Sequence, residues 1–180
     1  MRIISGKYKG KRLIAPKNLP VRPTTDMAKE SLFNILNNEF YIEDLTALDL
    51  FSGTGNISYE LASRGVEDIT SVDLDVRCNQ YIRKTVAELG FESIIQVIKS
   101  DVFKFLSGNK KNYDFIFADP PYDFSDEKFM EIPNLVFNRN LLREEGVLVV
   151  EHSAFTDLSS HPNFADKKRY GSVCFSFFRL

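Results

Sequence analysis

The sequence predicts an α/β fold: a doubly wound, mostly parallel sheet with an antiparallel hairpin at its C-terminal edge. Three observations predict it. Short apolar runs of strand length alternate with amphipathic runs of helical period between Thr46 and His152, the pattern of a parallel sheet with helices on both faces. Acidic residues close those apolar runs at Asp73, Asp101 and Asp119, where open α/β sheets place their ligands. The tail "KKRYGSVCFSFFRL" has two β-prone runs around Gly171 and no helix between them, so it pairs antiparallel.

With 180 residues, 43% of them hydrophobic, the chain suits one compact domain with a substantial core. Residues 1–24 read as a basic N-terminal hairpin arm and residues 25–180 as the main domain, including its first helix. In "RIISGKYKGKRLIAP", short β-prone pieces broken by Gly6 and Gly10 suggest a small hairpin. In "RPTTDMAKESLFNILNNEF", Thr24 or Thr25 can cap a helix whose start Asp26 complements, and Ala28, Leu32, Ile35 and Leu36 recur at helical spacing. Then follow strand "TALDLF", helix "NISYELASRG" closed by Gly65, strand "ITSVDL" and helix "VRCNQYIRKTVAELG" ending at Gly90. "IIQVIKS", "YDFIFAD" and "GVLVVEH" supply three more strands, with helices near Val102–Leu106 and Lys128–Phe137. No internal repeat or low-complexity segment interrupts the pattern.

The net charge is −2, but every charged side chain before Asp26 is positive: Arg2, Lys7, Lys9, Lys11, Arg12, Lys17 and Arg22. The remainder, with 16 Lys and Arg against 25 Asp and Glu, carries −9. Such asymmetry is expected when one arm grips phosphates and the body does something else. Cys78 and Cys174 lie far apart without a CxxC or His partner pattern, which argues against a zinc site or disulfide framework. No apolar stretch is long enough to span a bilayer, and Met1–Lys11 lacks the apolar segment of a secretory signal. A cytoplasmic protein without metal is expected.

The first strand ends in "DLFSGTGN", where Gly53 and Gly55 permit a tight turn before a helix. Free N–H groups at that helix start would favour an anionic group. Asp73 closes the second strand twenty residues after Gly53, the placement of a ribose-binding carboxylate. The third position of a dinucleotide G-x-G-x-x-G is here Ser58, and no GKS or GKT phosphate loop is present. A ligand with a ribose and a carboxylate but no phosphate fits better, which points to S-adenosylmethionine.

At the fourth strand end stands "DPPY", Asp119-Pro120-Pro121-Tyr122. The prolines remove two backbone donors and force the chain out of the sheet. In this position the run resembles the catalytic motif of methyltransferases acting on exocyclic amines of nucleic-acid bases. Such an amine is a poor nucleophile because its lone pair is delocalised into the ring. Hydrogen bonds to the Asp119 carboxylate and the Pro120 carbonyl would localise that lone pair, while Tyr122 offers a face on which an extruded base can stack.

"RIISGKYKGKRL", "RPTTDMAKESLFNIL", "LDLFSGTGNISYELASRG" and "FIFADPPY" together resemble the bacterial small-subunit ribosomal RNA guanine-N2 methyltransferases of the RsmD family, over nearly the whole chain. The resemblance implies a seven-strand methyltransferase sheet. It also implies methyl transfer from S-adenosylmethionine to a guanine exocyclic nitrogen of 16S rRNA, in an assembled or assembling small subunit; separately, a monomer is expected. On this likeness, cofactor contacts fall to Asp49, Phe51 and Ser52, to the turn Gly53, Thr54, Gly55 and Asn56, and to Asp73 and Leu74, Asp101 and Val102, and Asp119. Asp119, Pro120, Pro121 and Tyr122 would receive the base. RNA contacts would come from Arg2, Lys7, Lys9, Lys11, Arg12 and Arg22, with Thr24 near the cofactor or RNA. Family members often carry glutamate where this chain has Asp73 and asparagine where it has Thr85.

His152 and Glu151 read as structural, as do most phenylalanines, with Phe124 close enough to Tyr122 to line a pocket. Two other functions share parts of the pattern. A DNA adenine methyltransferase would use the same DPPY chemistry but normally carries a sizeable target-recognition segment, for which there is no room here. A non-catalytic RNA-binding assembly factor would have no reason to hold a carboxylate at the pocket.

Overall fold

The computed structural model describes residues 1–21 and 24–180; Arg22 lies outside the described residues. After an N-terminal segment come α1 (Asp26–Glu39), a 3-10 turn (Ile42–Asp44), β1 (Thr46–Leu50), α2 (Asn56–Ser63), β2 (Asp68–Asp73) and α3 (Val76–Leu89). They are followed by β3 (Ile95–Lys99), α4 (Val102–Gly108), β4 (Tyr113–Ala118), α5 (Asp126–Asn138), β5 (Leu142–Ser153), β6 (Phe164–Tyr170) and β7 (Val173–Phe178). One seven-stranded sheet runs in the order β3-β2-β1-β4-β5-β7-β6. β1 to β5 are parallel, and β7 is antiparallel to both β5 and β6. Strand order reverses between β1 and β4, which makes their carboxyl ends the switch point where such sheets bind ligands.

Side-chain alternation along the buried strands builds two cores, one per sheet face. In β4, Phe115 and Phe117 join Leu32, Phe33, Tyr59 and Phe175 on the α1 and α2 side, whereas Ile116 and Ala118 join Leu48, Phe129 and Leu148 on the α4 and α5 side. Thr25 caps α1 by accepting the Ala28 N–H, Asp75 caps α3, Asp101 caps α4 and Ser125 caps α5. Each cap satisfies a helix-end donor that would otherwise be orphaned.

β5 starts at Leu142, four residues before the apolar run. Exposed Arg143, Glu144 and Glu145 disguise this extension as loop. The ladder slips between Tyr113 and Phe115 to accommodate it. Gly146 sits at that irregularity, where a Cβ would lie 2.9 Å from the carbonyl oxygens of Arg143 and Asp114.

The N-terminal segment is a short loop closed by one antiparallel bridge, Arg2 to Arg12, with Ile3 buried. It is fastened to α2. Glu60, fully buried, accepts the N–H groups of Ile4 (2.8 Å) and Ser5 (3.0 Å) and the Arg64 Nε (2.8 Å), and pairs with Lys29 of α1 at 3.3 Å. Lys29 Nζ also donates to the Arg2 carbonyl (2.7 Å) and Asn56 Oδ1 (2.8 Å). Tyr8 completes the attachment by donating its hydroxyl to the Leu89 carbonyl at 2.6 Å.

Candidate active site

The ends of β1, β2, β4 and β5, with the segment before α1, enclose a cavity of about 630 Å³. At the end of β1, buried Asp49 uses Oδ2 to accept both the N–H (3.1 Å) and the hydroxyl (2.6 Å) of Ser58. Ser58 is therefore needed as a donor, and neither glycine nor alanine could supply that hydroxyl. Burial raises the Asp49 pKa to about 7, against the two Ser58 bonds and with the help of nearby Asp73.

The turn after β1 is tightly built. Phe51 adopts a left-handed φ of 56°, unusual for a bulky residue. Ser52 donates its N–H (3.1 Å) and hydroxyl (2.9 Å) to the Val72 carbonyl. Gly55, at φ 76°, caps α2 directly over the Tyr59 ring, so that a Cβ would meet the Tyr59 Cζ and hydroxyl at 2.6 Å. In this turn the N–H of Gly53 goes to Asp73 Oδ2 (2.8 Å), that of Gly55 to Ser52 O, and, in the first turn of α2, that of Ser58 to Asp49. The Gly53 and Ser58 donors fix the two carboxylates, Asp73 and Asp49, and the Gly55 donor closes the turn. Thr54 and Asn56 are similarly engaged: the Thr54 hydroxyl faces Met1 Sδ at 3.4 Å, and Asn56 Nδ2 donates to the Thr24 carbonyl at 3.1 Å.

Asp73 accepts one backbone N–H on each oxygen, from Gly53 and, at 2.8 Å, from Asp75. It lines the cavity, and burial raises its pKa. Asp101 caps α4 through the Lys104 N–H (2.9 Å) and stands exposed at the cavity edge. Leu74, Val102, Phe51 and Phe103 form apolar walls. Phe51, Phe103 and Phe124 pack mutually with centroids 6.0 to 6.2 Å apart, so Phe124 does line the pocket.

Asp119, Pro120, Pro121 and Tyr122 meet the same cavity from β4. The Asp119 N–H still reaches the Leu50 carbonyl (3.3 Å), which keeps this carboxylate beside β1. Burial, then the neighbouring Glu151 and Asp49 carboxylates, push its pKa well above the usual range.

Glu151 belongs to this group, although its place in an apolar run suggests only packing. It is buried in the cavity wall, with the Tyr122 hydroxyl donating to Oε1 at 3.0 Å and the Thr24 hydroxyl to Oε2 at 2.7 Å. Burial raises its pKa while the two hydroxyls oppose the rise. The signal available in sequence was a carboxylate at i+2 from Val149 and i+4 from Val147, on the buried face of its strand. Its neighbour His152 points to the other face. There Nδ1–H donates to the Ser153 carbonyl and Nε2 accepts from Ser176, both at 2.7 Å.

Thr85 is buried on α3 and does not line the cavity. The described basic residues of the N-terminal segment lie outside it too. Arg2 and Lys9, with Arg64, Asn34 and Asn37, surround a second, polar depression of about 400 Å³. Lys7, Lys11 and Arg12 are exposed, with the Lys7 and Lys11 amines each 5.2 Å from the Tyr8 ring centroid. Among the described residues no helix is long and apolar enough to cross a membrane, and no cluster of three His, Cys, Asp or Glu side chains could hold a metal ion.

Residues 1–179 match the family model described as conserved hypothetical protein 95. The ribosomal RNA small subunit methyltransferase D of Escherichia coli (strain K12) is 32% identical over 162 residues, 90% of this chain and 79% of that protein. Its counterpart in Buchnera aphidicola subsp. Baizongia pistaciae is 32% identical over 166 residues, covering 91% and 82%. Among solved structures, the Escherichia coli chain yhhF, described as a methyltransferase, superposes with a TM-score of 0.84 at 29% identity, over 99% of this chain and 96% of that one. A Thermus hypothetical protein, TTHA0928, reaches the same TM-score at 23% identity, which speaks for the fold alone. Matched by the family model over nearly its whole length and sharing the seven-strand sheet, this chain belongs to the conserved hypothetical protein 95 family, the RsmD family.

Proposed function

We propose that this protein transfers a methyl group from S-adenosylmethionine to the exocyclic N2 of a guanine in 16S rRNA of the small ribosomal subunit, acting as a monomer. One observation carries the reading: Asp119 to Tyr122 face the same cavity as the β1 turn and Asp73. An amine-localising motif and a nucleoside-type site thus share one space.

The residues fit this cofactor. Apolar Phe51, Leu74, Val102 and Phe103 suit an adenine ring, and the unused lone pairs of Asp73 suit ribose hydroxyls. Asp49, Asp73 and Asp119 are carboxylates that burial makes reluctant to ionise, an environment improved by a cation. When bound, S-adenosylmethionine supplies an electrophilic methyl on a sulfonium, whose C–S electron pair stays on sulfur as the N–C bond forms. Asp119 and the Pro120 carbonyl accept the amine hydrogens and aim the nitrogen lone pair. The Asp119 carboxylate then takes the proton that the methylated nitrogen must lose. Tyr122, half-exposed at the mouth with its hydroxyl held by Glu151, offers its ring to the extruded base. Stacking there returns roughly 1–3 kcal/mol toward an extrusion cost of a few kcal/mol.

Residues 1–24 act as the basic arm for RNA phosphates and residues 25–180 as the catalytic domain. The test is methylation of small subunits, naked 16S rRNA and DNA, with the product identified by mass spectrometry. N2-methylguanine in the ribosomal substrate supports the reading, and N6-methyladenine in DNA replaces it. Asp119→Ala should lose turnover by at least about a hundredfold, the scale of losing one preorganised polar group, while cofactor binding, which Asp49 and Asp73 still support, stays measurable by calorimetry. Normal turnover in that variant removes the mechanism.

A further inference from the structure

We propose that Glu151 reads the Watson–Crick edge of the target base and selects guanine by accepting its ring N1–H. This inference rests on the guanine-N2 reading of the same cavity and goes beyond it in naming how the base is chosen.

The backbone places the residue. β4 and β5 are parallel with Ala118 opposite Val150, so the next residues, Asp119 and Glu151, are neighbours across the ladder. Strand spacing puts their main chains about 5 Å apart. Both are two positions beyond side chains of the α1-side core, Phe117 and Val149, so both project from the same sheet face into the cavity they line. A pair of adjacent carboxylates thus forms one wall. Tyr122 and Thr24 donate one hydrogen bond to each oxygen of Glu151, which fixes its orientation and opposes the rise in pKa that burial causes. A carboxylate has about four lone-pair sites, so acceptor capacity is left for a ligand.

Two acceptors side by side call for two donors side by side. Guanine presents N1–H next to its N2 amine. Adenine presents a bare acceptor, N1, beside its N6 amine, and cytosine a bare N3 beside its N4 amine. If Asp119 holds the reacting amine, the next position on the base faces Glu151. There guanine gains a hydrogen bond, whereas adenine and cytosine set lone pair against lone pair. A buried polar group left facing the wrong partner costs roughly ten- to a hundredfold in selectivity.

The experiment uses small-subunit RNA substrates carrying guanine or 2-aminopurine at the target position. 2-Aminopurine keeps the C2 amine but has no hydrogen on N1. Wild-type protein should prefer guanine by tenfold or more in kcat/KM. Glu151→Gln, whose amide can donate to a bare N1, should lower kcat/KM on guanine ten- to a hundredfold. It should also collapse the guanine to 2-aminopurine ratio at least tenfold, with cofactor affinity unchanged within about twofold. Thr24→Val, which removes one tether and keeps the carboxylate, should preserve the ratio. Equal kcat/KM of the wild type on both bases overturns the inference whether or not the variant folds. A Glu151→Gln protein that loses both activities in parallel overturns it too, leaving Glu151 a tether for Tyr122 and Thr24. Failure of the wild type to form any N2-methylguanine is a separate result that removes the guanine reading itself.

Discussion

Glu60→Gln should be among the most destabilising single changes outside the cavity, and its size follows from four donors on one buried carboxylate. Ile4 N–H and Lys29 converge on Oε2, Ser5 N–H and Arg64 Nε on Oε1, within 2.8 to 3.3 Å. Whichever oxygen becomes an amide NH2, two donors lose their acceptor and face another donor. Lys29, fully buried, is left with neutral acceptors in place of the carboxylate, the Arg2 carbonyl and Asn56 amide oxygens among them. Breaking such a pair from one side costs about 3–5 kcal/mol, which for a domain of this size lowers Tm by roughly 6–20 °C. Urea and thermal unfolding of Glu60→Gln, Lys29→Met and the double variant form a cycle. With Lys29 already replaced by Met, Glu60→Gln should cost at least about 1 kcal/mol less, because no buried ammonium is stranded. Amide exchange at Ile4 and Ser5 should accelerate in Glu60→Gln. Additive effects, coupled by less than about 0.5 kcal/mol, would refute the claim that this network fastens the N-terminal segment to α1 and α2.

Cofactor affinity should rise with pH between 6 and 8. Asp49 keeps its proton up to about pH 7 in the cofactor-free protein, and a cationic ligand favours the ionised carboxylate. Binding therefore expels a proton below that pH, and affinity climbs by up to about tenfold per pH unit per proton before levelling above it. Calorimetry in buffers of different ionisation enthalpy reads that proton directly, and a pH-independent Kd contradicts the assignment. Gly55→Ala should lose about 1–3 kcal/mol of stability together with cofactor binding, since its Cβ meets Tyr59 at 2.6 Å in a left-handed backbone. A companion Tyr59→Phe in the Gly55→Ala background should recover part of that loss, because it removes the hydroxyl that the added Cβ would meet at 2.6 Å. Neutralising Lys9, Lys11 and Arg12 should flatten the dependence of log K on log salt for RNA by about 0.7 per lost phosphate contact, and an unchanged slope would detach the arm from RNA.

What was legible in the sequence was what short spacings encode. Period-two and period-3.6 apolar runs, helix caps and acids at strand ends involve residues within a turn or a strand of each other. The sheet, the C-terminal hairpin, the β1 turn, Asp73 and the Asp119 to Tyr122 run could all be read this way. The limits lie where charge breaks the period, as in Arg143 to Glu145 at the start of β5. Ser58 shows a subtler limit: it departs from the glycine pattern because its hydroxyl is needed by Asp49, a partner nine residues earlier.

Only the tertiary structure decided the rest of the site. Thr24 reaches Glu151 across 127 residues, and Lys29, Glu60 and Arg2 meet from three separate segments. Glu60 and Glu151 have the same side chain as the exposed Glu144, and composition cannot distinguish them. The difference is burial, which makes an ionisable group depend on every donor around it, and those donors come together only when the chain is folded.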